Sequence, residues 1–296
     1  MKDQTKGVLA SLCGYSIFGF SFIFSKQALQ VTTPVTLLFW RFTCAFAALA
    51  LLALLRVIRL ELRGKTLRRV LLTGLMNPIL YFTCENYGLL YSSATFSGVM
   101  VALIPIAALA LGALLLHERV TAFQTVCSVI SVLGVVLISL SSEDSGQVTL
   151  PGTLLLIGAV LSSTGYALCS RRCSEEYSAA ERTFVMFAMG CAFFLLLALW
   201  ENAGNYSALI APWRDRGFVW AVIYLGLVSS VGAFLCLNIS FTYLPASRST
   251  LFSNITTIIS VFAGVLFAGE SFAPTLMIPA ALMVIGGVWG AQRAAE

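Results

Sequence analysis

The sequence predicts an all-α integral membrane protein, with ten transmembrane helices arranged as two inverted five-helix repeats. Three observations lead to this fold class: the composition, the spacing of apolar stretches and an internal repeat. Of the 296 residues, 59% are hydrophobic and only 10% are charged, whereas soluble domains contain about 25% charged residues. A soluble core of this size cannot bury so much apolar surface, so a lipid bilayer is the expected solvent.

Ten apolar stretches divide the chain, and each is close to the length of about 20 residues that crosses ~30 Å of hydrocarbon as a helix. The stretches are continuous and show no period-two alternation, which excludes a strand barrel. The predicted spans are 7–29, 34–58, 68–90, 94–116, 121–140, 151–171, 181–201, 217–242, 247–268 and 274–293.

The orientation follows from Lys and Arg, which concentrate on the cytoplasmic side of membrane proteins. With the N-terminus inside, 14 of the 18 basic residues fall on the inner side. Only Lys26, Arg41, Arg214 and Arg216 fall on the outer side. We therefore predict a multi-pass protein of the inner (plasma) membrane with both termini in the cytoplasm.

The internal repeat becomes visible when the chain is shifted by 152 residues against itself. The shift aligns identical residues of the third to fifth and eighth to tenth spans: Gly74 with Gly226, Phe82 with Phe234, Asn86 with Asn238, Ala94 with Ala246, Ser97 with Ser249 and Glu118 with Glu270. Because five is an odd number, the second copy enters the membrane inverted, and inverted repeats alternate access around a midplane site. Residues 1–145 and 146–296 are the predicted repeats of one transport unit.

Composition also limits the possible functions. The net charge of +5 is explained by topology and anionic lipid, so no nucleic-acid partner is predicted. The eight cysteines lie mostly in apolar runs without a CxxC pair, and we expect free, buried thiols. With one histidine and no HExxH, GxSxG, Walker or GxGxxG motif, the sequence predicts no enzyme, no metal and no cofactor.

Glu85 is the most informative polar residue, because an acid inside a membrane span is costly and usually faces a cavity or marks a pathway. Asn77, Tyr81 and Glu85 are spaced four residues apart, which places them on one helix face. Burial disfavours a charged carboxylate, so Glu85 is a candidate to exchange a proton or to bind a cationic amine. The alternatives are a snorkelling residue or a helix–helix hydrogen bond.

Two further groups of polar residues are candidates. Asn86 and Asn238 are equivalent in the repeat, which favours interhelical hydrogen bonding, with cavity lining as the alternative. Arg41, beside Trp40, matches the geometry of a substrate carboxylate. Its alternatives are to reach the interface or to brace carbonyl groups or Glu85.

Aromatic residues supply candidate cavity walls. Tyr15, Tyr166 and Phe234 complete the predicted binding or coupling set. Pro105 and Pro245 are expected to kink or end helices, and His117 is expected at the surface.

Several motifs resemble the EamA-type branch of the drug/metabolite transporter superfamily over essentially the whole chain. They are Trp40-Arg41-Phe42, Tyr91-Ser92-Ser93-Ala94, Pro105, Leu116-His117-Glu118 and Ala268-Gly269-Glu270. The resemblance implies a secondary transporter that exports small metabolites such as amino acids, related amines or drugs by alternating access. A proton-coupled importer of a small organic solute, a channel and an intramembrane enzyme are the alternatives.

The energy source is an ion gradient or the substrate gradient, because the sequence contains no ATP-binding motif. Expected partners are a small-molecule substrate and the lipid bilayer, with protons as a candidate coupling ion. The sequence is compatible with a monomer or a homodimer.

Overall fold

The computed structural model describes residues 2–62, 64–91, 100–140, 149–268 and 274–293, and within these ranges every regular element is a helix. The first half contains α1 (Lys2–Ala28), α2 (Pro34–Leu54), α3 (Leu67–Gly74), α4 (Tyr81–Leu90), α5 (Ile104–Leu116) and α6 (Ala122–Leu140). The second half contains α7 (Leu150–Cys173), α8 (Ala179–Glu201), α9 (Ser207–Ile210), α10 (Arg216–Ile223), α11 (Phe234–Tyr243), α12 (Ala246–Thr250), α13 (Ser253–Ala268) and α14 (Pro274–Arg293).

Two π-helical segments join shorter helices into longer ones. Leu75–Leu80 connects α3 to α4, and Tyr224–Ala233 connects α10 to α11. A 3₁₀ turn, Ala211–Arg214, follows α9.

The helices confirm the membrane fold class. Within the described ranges, five helical stretches are long and apolar enough to cross a bilayer: Asp3–Ser25, Pro34–Leu54, Leu150–Cys173, Ala179–Glu201 and Arg216–Tyr243. Shorter apolar helices cover Ile104–Leu116, Ala122–Leu137 and Ile278–Ala291. Every predicted span is overlapped by a helix, while the count of ten crossings stays a prediction.

Side chains at the helix starts explain several boundaries. Thr33 accepts a hydrogen bond from the backbone N–H of Thr36 at 3.3 Å, and Pro34 occupies the first turn of α2. Ser178 and Glu181 form a reciprocal capping box at the start of α8. Such caps satisfy N–H groups that have no partner inside the helix.

The packing of the two halves is reciprocal. The first span (α1) packs on the eighth (α10–α11) and ninth (α12–α13), and the sixth span (α7) packs in the same way on the third (α3–α4) and fourth (α5). The second span packs on the seventh, and the fifth on the tenth. These contacts between the halves therefore have repeat-related counterparts, as expected for two copies of one unit. Among the residues cited for the repeat, Ala94, Ser97 and Glu270 lie outside the described ranges.

The third and eighth spans each contain a π-helical segment where the sequence predicts a regular α-helix, and the third span also breaks. Asn77 has non-helical backbone angles (φ −146°, ψ 123°), and Pro78 follows it. Proline cannot donate a backbone hydrogen bond and clashes with the preceding turn, which explains the interruption. A shift of 152 residues places Asn77 on Ser229, inside the second π-helical segment. The break at Asn77 therefore aligns with the π-helical segment of the eighth span, and π-helical turns are frequent at functional sites.

The expectations for proline, histidine and cysteine have mixed outcomes. His117 is exposed, as predicted. Pro245 lies between α11 and α12, where one helix ends and the next begins, whereas Pro105 lies in the first turn of α5 and so starts a helix instead of kinking or ending one. All eight cysteines are free, but only Cys127 and Cys173 are buried. The expectation that the thiols are buried is therefore wrong for most of them, because apolar surface in a membrane protein also faces lipid.

The topology predicts where introduced thiols react. Cysteines placed at Lys65 and Arg172 should react only from the cytoplasmic side, because both positions lie on the predicted inner side. A cysteine at Arg214, on the predicted outer side, should react only from outside. Modification by a membrane-impermeant maleimide in oriented vesicles measures this, with the wild-type chain giving the background of its native cysteines. Reaction of the cysteines at positions 172 and 214 from the same side would contradict the inverted topology.

Candidate functional site

Glu85 and Tyr81 form a hydrogen-bonded pair on α4. The Tyr81 hydroxyl donates to Glu85 Oε1 at 2.7 Å, across one helical turn. Glu85 is half-buried, and no hydrogen bond to its Oε2 is described. The contact lies within one helix, and in the described part of the chain Glu85 makes no hydrogen bond to another helix, which is one of the predicted alternatives. One carboxylate oxygen is thus held in place and the other is available.

Arg41 lies buried in α2 and is held by the second π-helical segment. Its Nε donates to Ser230 Oγ at 2.9 Å and its Nη2 to Ser229 Oγ at 3.0 Å. Its Cζ lies 4.8 Å from the centre of the Phe82 ring, a cation–π contact. Nη1 makes no hydrogen bond within the described part of the chain. The guanidinium is therefore held by hydroxyl groups, and not by the carbonyl groups or Glu85 that the sequence offers as alternatives.

Arg41 and Glu85 lie near enough for their charges to interact, yet they do not pair directly. Each is electrostatically linked to the other, but no ion pair between them occurs within 4.0 Å among the described residues. Buried charges are costly unless they are paired and hydrogen-bonded. The two groups therefore form a site, here called the charged site, that could accept a ligand carrying both signs of charge.

Asn77 contributes a further polar side chain, in the π-helical segment that precedes α4. Its side chain is buried, and its Oδ1 has no hydrogen-bond partner among the residues that the structure describes. Thr164 Oγ1 on α7 is also buried and lacks a partner within the described ranges. Met76 and Gly165, the chain neighbours of these two residues, pack closely on each other. Buried polar groups are nearly always satisfied in native proteins, so a ligand or water is expected between these helices.

Asn238 lies in a second polar cluster and links three spans. It accepts hydrogen bonds at Oδ1 from Ser170 Oγ (2.6 Å) and Tyr166 Oη (3.4 Å) on α7. It donates through Nδ2 to Thr183 Oγ1 on α8 at 2.9 Å. This confirms the predicted interhelical bonding for Asn238. Its repeat equivalent, Asn86, donates instead to the Phe82 carbonyl in its own helix at 2.7 Å, so the prediction is wrong for Asn86.

Arg182 completes this cluster, here called the polar hub. From the sequence it is expected only as one of the basic residues on the inner side. It is fully buried and donates from Nη1 to the backbone and hydroxyl oxygens of Ser170 at 2.6 and 2.7 Å. From Nη2 it donates to the Asn238 carbonyl at 2.6 Å and to Thr242 Oγ1. All its acceptors are neutral oxygens. The signal in the sequence is an arginine directly followed by the apolar run of α8.

The aromatic candidates divide between the interior of the bundle and the segment that links α8 to α10. Tyr166 and Phe234 are buried with ring centres 5.9 Å apart, and Tyr15 is also buried. Trp40 lies apart from them, since its Nε1 donates to the Leu209 carbonyl at 2.8 Å and its ring packs on Trp213. Trp40 therefore anchors the segment between α8 and α10, and its part in the binding set stays a prediction.

An apolar groove of about 410 Å³ lies away from both clusters, between α6 and α14. It is lined by Cys127, Ile130, Pro279, Leu282, Met283, Gly286 and Gly287. With no charged residue in its lining, the groove suits hydrocarbon better than a polar metabolite.

Comparison with known proteins places these features in a family. The model of the EamA-like transporter family matches the chain twice, over residues 5–140 and 150–290. The uncharacterized transporter YcxC of Bacillus subtilis (strain 168) is 34% identical over 289 residues, which cover 97% of this chain and 93% of YcxC. A probable terminal-alkyne amino-acid exporter of Streptantibioticus cattleyicolor is 23% identical over 246 residues, 83% of this chain and 80% of that protein.

The fold is shared with a protein of known crystal structure. That chain superposes with a TM-score of 0.79 at 18% identity, with 98% of each chain covered. The two matches to one family model agree with the reciprocal packing of the two halves. They also agree with the equivalent positions of the two π-helical segments. This chain is thus a multi-pass membrane protein that belongs to the EamA-like transporter family.

Proposed function

We propose that this protein exports small metabolites that carry both an amino group and a carboxylate, and that it does so by alternating access around the charged site. The observation that carries the proposal is the separation of Arg41 and Glu85. Each is buried or half-buried and is oriented by hydroxyl donors or acceptors. Among the described residues, no hydrogen-bond partner reaches Nη1 of Arg41 or Oε2 of Glu85.

A zwitterion would complete this arrangement. Its carboxylate fits the guanidinium of Arg41, because arginine presents fixed donors that match carboxylate oxygens. Its ammonium group fits the free oxygen of Glu85. Ligand binding would then replace two costly unpaired charges with two charge-assisted hydrogen bonds. The name of the relative that is a probable amino-acid exporter supports the same substrate class and the export direction.

Residues 1–145 and 146–296 would act together as one transport unit of ten spans in the plasma membrane. The positive charge of the inner loops supports cytoplasmic termini, and the charged site draws on both halves through Arg41, Glu85 and the serines of the eighth span. Either a monomer or a homodimer would contain the complete site.

Proton-coupled import is the second candidate function, and the Tyr81–Glu85 pair favours it. A carboxyl group with a single hydroxyl donor in an apolar span can take up and release a proton as its surroundings change. In this case Glu85 would carry the coupling proton, while Arg41 alone would hold the substrate.

Transport by the purified protein tests the proposal. Sealed liposomes containing the protein, preloaded with one unlabelled amino acid at a time, should accumulate the same radiolabelled amino acid by counterflow, and the label should be recovered chemically unchanged. The corresponding monoamine, which lacks the carboxylate, should compete much more weakly. Protein-free liposomes give the background. Recovery of a modified product, or equal competition by the monoamine, would contradict the proposal.

A further inference from the structure

Glu118 joins the end of the fourth span to the start of the ninth. Its Oε1 accepts a hydrogen bond from the backbone N–H of Ala246 at 2.7 Å, and its Oε2 accepts one from the N–H of Ser247 at 3.1 Å. The Ser247 hydroxyl also donates to Oε2. One carboxylate thus binds three donors at a helix start, where backbone N–H groups lack partners within the helix.

The end of α5 is shaped to present this carboxylate. His117 adopts left-handed backbone angles (φ 53°, ψ 34°), and the N–H of Glu118 donates to the Gly112 carbonyl at 3.1 Å. This turn folds the side chain back along the helix. A Cβ atom at Gly112 would lie 2.8 Å from Glu118 Oε2, closer than non-bonded atoms approach. Glycine at this position therefore leaves the space that the carboxylate occupies.

The contact lies at the predicted cytoplasmic end of the bundle, beside a buried group of serines. Ser249 Oγ is hydrogen-bonded to Ser11 Oγ at 3.0 Å and to Ser240 Oγ at 2.8 Å. These serines tie the first, eighth and ninth spans together. Glu118 adds the fourth span to the same end of the bundle.

We propose that Glu118 is the latch of a cytoplasmic gate: its bonds to Ala246 and Ser247 hold the fourth and ninth spans together while the cytoplasmic side is closed, and they break when it opens. The inference rests on the proposed alternating-access function, which requires these inner helix ends to separate. Glu118 is only half-buried, so water can replace its partners. Arg182 is fully buried, so water cannot replace its hydrogen-bond partners. The polar hub is therefore unsuitable as a contact that breaks and re-forms.

Thiol accessibility tests the latch without any substrate. In the full chain carrying Ser11→Cys, modification by a small charged methanethiosulfonate added from the cytoplasmic side reports opening of the inner end. Glu118→Gln should raise the modification rate about tenfold, since glutamine cannot accept all three bonds and charged acceptors bind more strongly than neutral ones. The matched control is Asp215→Asn, which removes a carboxylate that caps only its own helix, at the N–H of Phe218. It should leave the rate unchanged, and the chain without Ser11→Cys gives the background.

A second variant keeps the test decisive if Glu118→Gln folds poorly. Gly112→Ala retains the charge but intrudes on the carboxylate, and it should also raise the rate. An unchanged rate in a folded variant, with or without a lower unfolding temperature, would overturn the latch and leave Glu118 as a structural cap. Since labelling and counterflow are independent readouts, failure of the latch leaves the transport proposal standing. Absence of counterflow would count against the transport function alone.

Discussion

Replacing Glu85 with glutamine is expected to weaken substrate binding by about 30-fold or more at every pH. The variant keeps the size of the side chain and an oxygen that can accept from Tyr81, but it removes the charge that the proposed site offers to an ammonium group. Removing one partner of a buried, hydrogen-bonded charge pair costs about 2–5 kcal/mol, which corresponds to this loss of affinity. The measurement is the concentration dependence of counterflow with the amino acid identified in liposomes.

The matched control is Glu201→Gln. Glu201 also accepts a hydroxyl hydrogen bond, from Thr33 at 2.8 Å, but it is exposed at the end of α8. Its substitution should leave counterflow unchanged. If Glu85→Gln binds substrate normally but no longer responds to an imposed pH gradient, Glu85 carries a coupling proton and the importer alternative gains support. Wild-type transport with a wild-type pH profile would exclude Glu85 from the mechanism.

The membrane fold could be predicted from the sequence because the bilayer imposes one length and one polarity on every span. The helix from Pro34 to Leu54 begins where the proline and the Thr33 cap place it, within the predicted range 34–58. The reciprocal packing of the halves also follows from a repeat that is visible in identical residues. The interruption at Asn77 was missed, although a proline follows it, because the hydropathy of the segment does not change there.

The partners of individual side chains were much harder to predict. Hydropathy does not specify how a helix is rotated, since lipid-facing and interior residues are both apolar. The sequence therefore does not reveal that Trp40, next to Arg41 in the chain, donates to the Leu209 carbonyl in the segment between α8 and α10. In the sequence, Ser229 and Ser230 do not differ from many other small residues, yet their hydroxyl groups orient Arg41. The alignment of Ser229 with Asn77 in the repeat was the signal that could have identified them.

Replacing Arg182 with lysine is expected to destabilise the protein strongly, although the charge is retained. Arginine reaches Ser170, Asn238 and Thr242 with two separate nitrogens, whereas lysine has a single nitrogen and no fork. Loss of two or three bonds, each worth about 0.6–1.7 kcal/mol between membrane helices, predicts a destabilisation of about 1–5 kcal/mol. A thiol-reactive dye that reports exposure of the buried Cys127 and Cys173 should show a lower unfolding midpoint.

Arg171→Lys is the control for that substitution, since Arg171 lies on the same helix as Ser170 and bonds to the same end of α11. It donates to the carbonyls of Phe241 and Thr242 from one nitrogen, Nη1, at 3.1 and 2.7 Å. A lysine ammonium group can make both bonds, so the unfolding midpoint should change little. If Arg182→Lys instead unfolds at the wild-type temperature but fails in counterflow, the fork of Arg182 serves transport. The polar hub would then belong to the moving machinery, and the fixed structural role assigned to Arg182 would be wrong.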